Sequence, residues 1–187
     1  SCLTNQMPKI VDHKAQRSRL LDQAFELFAD QGYAAISMRG LAKGMGVTTG
    51  TLYHYFETKD AIFEQAIYRL ANRHVQAVLG ILPPEADMNK KLTLISDWIH
   101  KEQRNLQRSL LLILDFARHK SDDKALELIR SSSNHYRDTL IGALGNHPGI
   151  WPMVVGILVA ALLEGAEISN PSVLLADLIA SSDNRDV

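Results

Sequence analysis

The segment SMRGLAKGMGVTTGTLYHYFETK, Ser37 to Lys59, leaves this chain little choice of local fold. Ser37 is a good N-cap ahead of Met38, Leu41, Ala42 and Met45, whose spacing lays one apolar stripe along a short helix. Gly44 and Gly46 predict its stop, because glycine takes the backbone angles of a sharp turn that other residues resist, with Val47 plugging the corner. Thr48 is placed to cap a second helix whose apolar face is Leu52, Tyr55 and Phe56. So short a helix does not stand alone in water; it needs tertiary packing. Two short helices around a tight turn form a helix-turn-helix, in which the first holds the second against nucleic acid. The opposite face of the second helix carries Thr49, Gly50, Thr51, Tyr53 and His54, small or hydrogen-bonding groups without an acid, as a surface pressed against phosphates requires.

The run VTTGTLYHYFETKDAIF, Val47 to Phe63, resembles the DNA-binding signature of TetR-family (tetracycline-repressor-like) transcriptional regulators, as does RLLDQAFELFADQGYAAISMRGLAKGMG just before it. The resemblance extends from about Arg19 to Tyr68. It implies that Thr48, Tyr53, His54 and Lys59 contact phosphates, and that Thr49, Thr51 and Arg39 reach bases or the sugar edge, with Gly50 allowing close approach. Tyr55 and Phe56 read as core. Two positions depart from the family pattern. Gly40 stands where an acid usually closes the capping box, which predicts a helix weaker by up to about 1 kcal/mol. Thr49 stands where many members carry a basic or longer polar group, which shifts base readout toward thymine-methyl contact.

The formal net charge of −1 gives no global attraction to nucleic acid, so DNA binding must rest on local charge. Lys9, Lys14, Arg17 and Arg19 supply it, set against Asp12 alone in the segment leading into the first helix. A single cysteine, Cys2, excludes an internal disulfide and any multi-cysteine metal framework, and fits a reducing cytoplasm. The first residues lack the apolar run of a signal peptide. The longest apolar run, Ile150 to Leu163, is about 14 residues against the roughly 20 needed to cross a bilayer, so no membrane partner is expected.

Residues 1–13 read as a flexible arm. Leu20, Leu21, Ala24, Phe25, Leu27 and Phe28 trace a helix from about Lys14 to Gln31, stopped by Gly32, with Tyr33 and Ile36 folding back onto it. Thr58 caps a long helix that Pro83-Pro84 ends. Then come Met88 to about Leu106, a more apolar Leu106 to His119, a helix restarting at Ser121 and running to about Leu144, and Ile150 to about Ile168. Ser169-Asn170-Pro171 starts one more. The chain is thus predicted all-α, with about nine helices. An N-terminal three-helix DNA-binding unit (14–60) is joined by a long helix to a C-terminal regulatory and dimerisation bundle (61–187).

Ile150 to Ile168 is apolar nearly all round, as in a helix packed on its own subunit and on a partner, so a homodimer is expected through Val155, Leu158, Leu162, Leu175 and Leu178. Beyond about Pro83 the family resemblance rests on size, helicity and apolar final helices alone. It implies a small-molecule effector, for which Trp98, Arg104, Asp115, Phe116, His119, Tyr136 and Arg137 are candidate pocket groups; for each, ordinary core or surface placement is the better reading, since any helical bundle of this length contains such residues. Seven histidines show neither HExxH nor i, i+4 pairing, so no metal or other cofactor is called for. SxxK at Ser121 to Lys124 and SDN at Ser182 to Asn184 lack the KTG element of a penicillin-binding enzyme. The expectation is a homodimeric repressor, not an enzyme, binding a near-palindromic double-stranded DNA operator and released by an effector. The rival is a helical ligand carrier or small enzyme that kept the fold.

Overall fold

The computed structural model describes residues 12–120, 123–147, 149–168 and 176. Among these the chain forms seven α-helices and no strand. They are α1 (His13–Gln31), α2 (Met38–Gly44), α3 (Thr49–Tyr55), α4 (Lys59–Ile81), α5 (Met88–His119), α6 (Asp123–Leu144) and α7 (Ile150–Glu164).

The helix ends follow local chemistry. Asp12, Ser37, Thr48, Thr58 and Asp87 each turn a side-chain oxygen onto the free N–H groups of the following first turn. Gly32 ends α1 at φ 81°. Gly46 makes the turn between α2 and α3 at φ 67°. Gly44 has a different task from the one its turn position suggests. It is the last residue of α2, and a Cβ there would lie 2.7 Å from Leu27 Cδ2 of α1, so it is a close-packing glycine. Gly40 is similar: a Cβ would meet Ile36 Cγ1 at 3.1 Å, so an acid at this position would have to displace Ile36.

Two expectations of the sequence are corrected. Met88 to His119 is one continuous helix, because nothing from 88 to 119 is glycine or proline and the change in hydrophobicity marks a change of neighbours. The helix expected to Ile168 stops at Glu164, where Gly165 takes a left-handed cap at φ 61°. The proposed start at Ser121 and the last helix, with Leu175 and Leu178, lie outside the described residues, as does the arm before Asp12.

Two cores result. The first gathers α1, α2, α3 and the front half of α4 around Phe28, Phe63, Leu20, Leu41 and Leu52, and takes Leu112 and Phe116 from the far end of α5. The second joins Leu92, Ile95 and Ile99 of α5 to Leu140 and Leu144 of α6 and Ile150, Val154 and Leu158 of α7. Both α4 and α5 pass from one core to the other. α4, 23 residues long, spans about 35 Å. Buried glutamines of α5 fasten α7 and the chain beyond it. Gln107 Nε2 donates to Leu158 O at 3.0 Å, and Gln103 both donates to Ala166 O and accepts from Ile168 N.

Candidate nucleic-acid interface and internal cavity

α3 is held by α2 and by Leu52, which is completely buried, while Phe56 closes its end in the first core. This leaves Gly50, Tyr53 and His54 exposed, with Tyr53 at 54%. A Cβ on Gly50 would meet nothing nearer than Thr48 Oγ1 at 3.8 Å, so the face is open there. The N-cap Thr48 is engaged with Thr51: Thr48 Oγ1 accepts from Thr51 N at 3.0 Å and shares a hydrogen bond with Thr51 Oγ1 at 2.8 Å. Thr49 is half-buried and Arg39 exposed. No acid lies on α3, and the exposed bases Arg39 and Lys43 of α2 and Lys14 and Arg19 of α1 belong to the same unit. Tyr55 is half-buried, its hydroxyl 3.2 Å from His13 Nδ1, which fixes the start of α1 against the end of α3. The pairing of His13 with Tyr55 carried no signal in the sequence, because the two are far apart along it.

Lys59 is placed differently from the other candidate phosphate ligands. Its Nζ donates to Tyr33 O at 2.9 Å and Ile36 O at 3.1 Å and stands 4.2 Å from the centre of the Tyr33 ring. Two of its three N–H groups therefore brace the loop between α1 and α2. Burial pushes its pKa down, opposed by the Asp60 carboxylate. Asp60 accepts from Tyr33 Oη and from Lys120 Nζ at the end of α5. Burial alone would raise this carboxyl, but those hydrogen bonds hold it below its usual value.

The far end of α5 is docked on the DNA-reading unit by several such contacts. Asp115 accepts from Tyr33 N at 2.9 Å, Phe116 stacks on Phe63 with ring centres 4.2 Å apart, and Arg108 bonds Glu26 and Asp30 of α1. Asp115, Phe116 and His119, expected near a ligand, are thus part of this junction; His119 folds back on Asp115. Arg104 is exposed. Only Trp98 and Tyr136 of the candidate pocket groups line a cavity.

That cavity, ≈ 640 Å³, lies between the two cores, walled by α4, α5, α6 and α7. His74, on the inward face of α4, is 5% exposed, and its Nδ1 lies 2.8 Å from the Tyr136 hydroxyl. Tyr136 stacks on Trp151 at 5.3 Å, and Trp151 Nε1 donates to Ser133 Oγ at 2.8 Å. Burial, with a smaller push from Arg73, lowers the His74 pKa to about 4, so its ring is neutral at pH 7. Burial pushes the Tyr136 phenol up. Periodicity locates such residues on an inward face and does not separate a filled interior from a hollow one.

Of the expected dimer residues, Leu158 is 5% exposed and sits in the chain's own second core, so it offers no surface to a partner. Val155 lines the cavity and Leu162 is half-buried. The exposed large apolar group of α7 is Leu163, at 81%.

Comparison with known proteins agrees with the helix-turn-helix reading. Residues 20–66 match the model for bacterial regulatory proteins of the tetR family. The chain is 26% identical over 123 residues to the HTH-type transcriptional regulator PksA of Bacillus subtilis, covering 62% of this chain and 58% of that protein. It is 28% identical over 138 residues to the HTH-type transcriptional repressor Rv1474c of Mycobacterium tuberculosis, covering 70% and 71%. The fold is shared with the transcriptional regulator FadR of Bacillus subtilis, solved in complex with stearoyl-CoA, at a TM-score of 0.67, 20% identity and coverage of 86% and 95%. No described helix is long and apolar enough to cross a membrane. Residues 20–66 thus carry a DNA-binding segment of the tetR type, in a chain that is similar to HTH-type transcriptional regulators and shares the fold of FadR.

Proposed function

We propose that this protein acts as a homodimeric repressor that reads a near-palindromic operator with α3 and is released by a small molecule entering the cavity. The observation that carries this reading is that α4 and α5 touch both places. Ile67, Leu70, Ala71 and His74 of α4 wall the cavity, and the same helix begins at Lys59, next to the end of α3. α5 lines the cavity with Ser109 and Ile113 and reaches the DNA-reading unit through Phe116 and Lys120. A ligand that fits better when these helices are respaced lowers operator affinity by that difference in binding energy and no more.

In this reading Tyr53 and His54 approach phosphates, and Thr49 and Arg39 the bases or sugar edge. Lys59 holds the loop behind them and has one N–H left for a phosphate. Two α3 helices reach successive turns of one groove face when half-sites lie about 10 base pairs apart or a multiple of it. The dimer face includes α7, where Leu162 and Leu163 remain as candidates. Leu163→Asp is expected to give monomers by light scattering with weakened operator binding, while Leu158→Asp unfolds the bundle.

The test is selection of operators from a random duplex pool by the purified protein. Enrichment of a two-fold symmetric motif supports the proposal; a pool that never departs from random refutes it and favours a carrier that kept the cavity alone.

A further inference from the structure

The wall of the cavity is selective in its chemistry. Among the described residues lining it there is no Asp, Glu, Lys or Arg, and the titratable groups are His74 and Tyr136, which are hydrogen-bonded to each other. The hydroxyls are nearly all engaged. Ser109 Oγ donates to Leu106 O, Thr139 Oγ1 donates to His135 O and Ser133 Oγ accepts from Trp151. Ser132 differs: it is 5% exposed, and its Oγ has no hydrogen-bond partner in the protein. A buried hydroxyl without a partner is costly, and Ser132 belongs to the cavity wall, where rotation of its side chain would turn the hydroxyl to whatever fills the space. The remaining wall is aliphatic or aromatic, and ≈ 640 Å³ is within the range of sites that enclose drug-sized molecules.

We propose that the cavity takes an uncharged, predominantly apolar small molecule carrying one hydroxyl or carbonyl oxygen, which hydrogen-bonds Ser132 and lies against the His74–Tyr136 pair. This rests on the reading of the cavity as the effector site and adds the ligand's class to it. A carboxylate would find no cation in the wall, and an ammonium no carboxylate; either would have to shed its water without a counter-charge. The neutral His74 ring does not supply a positive charge. The neutral oxygen has a partner in Ser132, and its hydrocarbon replaces water along Val75, Ile113 and Val159.

The protein carries its own probe. Both of its tryptophans, Trp98 and Trp151, line the cavity, so intrinsic fluorescence reports occupancy. The experiment titrates the full chain with two skeletons, a linear twelve-carbon chain and a naphthyl ring, each as the alcohol, the carboxylate and the primary ammonium, below their aggregation concentrations. The alcohols are expected to bind at least about tenfold more tightly than the ions of the same skeleton. Ser132→Ala is expected to weaken alcohol binding several-fold and leave the ions unchanged, with Tyr136→Phe as a second variant that keeps the ring stack and removes the hydroxyl. Circular dichroism checks that each variant folds. An ion binding as tightly as its alcohol overturns the ligand class while leaving the effector site standing. Silence from every probe on both skeletons, in fluorescence and in thermal shift, overturns the effector site itself.

Discussion

Around Phe63 the rings of Phe28, Tyr33 and Phe116 lie with centres 4.2 to 5.2 Å from its own, whereas beside Ser109 and Ser132 the same helices α4 and α5 help to wall a cavity of ≈ 640 Å³. One end of the bundle is filled and its middle is hollow. The difference lies in side-chain volume along shared helices. Phe63 and Phe116 occupy the filled end of α4 and α5, while Ala71 and Ser109 face the hollow middle. A filled interior resists deformation and transmits strain, so the DNA-reading unit behaves as one body. In the proposed function, the hollow part changes when it is occupied, and the helices it shares with the filled part carry that change to α3.

The largest expected effect tests the filled side. Phe63→Ala should cost about 3–5 kcal/mol in urea unfolding, while Val159→Ala, whose side chain already borders the cavity, should cost less than about 2 kcal/mol. Equal losses would break the contrast. Next comes acid. The folded state holds His74 neutral down to about pH 4, and the unfolded chain takes up that proton near 6.5. The contribution is present in full above pH 6.5 and is lost as pH falls toward 4, about 3 kcal/mol in all at 1.4 kcal/mol per unit. Urea unfolding across this range should show a steeper decline in the wild type than in His74→Gln; identical slopes would mean that the histidine is protonated in the fold.

Glycines sharpen the comparison at smaller scale. Gly44→Ala, with a Cβ 2.7 Å from Leu27, should destabilise by about 1–3 kcal/mol. Gly142→Ala in α6, where a Cβ meets nothing within 4 Å, should stabilise by up to about 1 kcal/mol. Thermal unfolding of the pair gives opposite signs if the close approach of α1 to α2 is real. The smallest effect on stability belongs to Lys120→Ala. Its ion pair with Asp60 at 2.6 Å is about one-third exposed on both sides, so its loss should cost under about 1 kcal/mol. Its effect should appear instead in the coupling between cavity occupancy and DNA affinity, read as the change in operator affinity on adding ligand. An unchanged coupling would remove this pair from the path.

The helix-turn-helix was legible because its signals are local: Ser37, Thr48 and Thr58 cap the helices that their positions predict, and Leu41, Leu52 and Phe56 are buried. What escaped depends on contacts between distant segments. Gly44 serves the approach of Leu27, Lys59 reaches back to Tyr33 and Ile36, and Leu158 faces its own core although α7 is apolar enough to face either way. Trp98 and Tyr136 were legible as pocket candidates by residue type alone. His74, Ser109 and Ser132 were not, since small polar groups on an inward face become informative only when the space they border is known.

The most direct test of the link between an acid-free reading face and DNA is fluorescence anisotropy on the duplex selected by the protein, against a scrambled duplex, at about 50 and 200 mM salt. Binding that favours the selected duplex, weakens steeply with salt and loses its preference in Thr49→Ala is the expected result. Equal affinity for both duplexes, with no change in preference on altering Thr49, would contradict it.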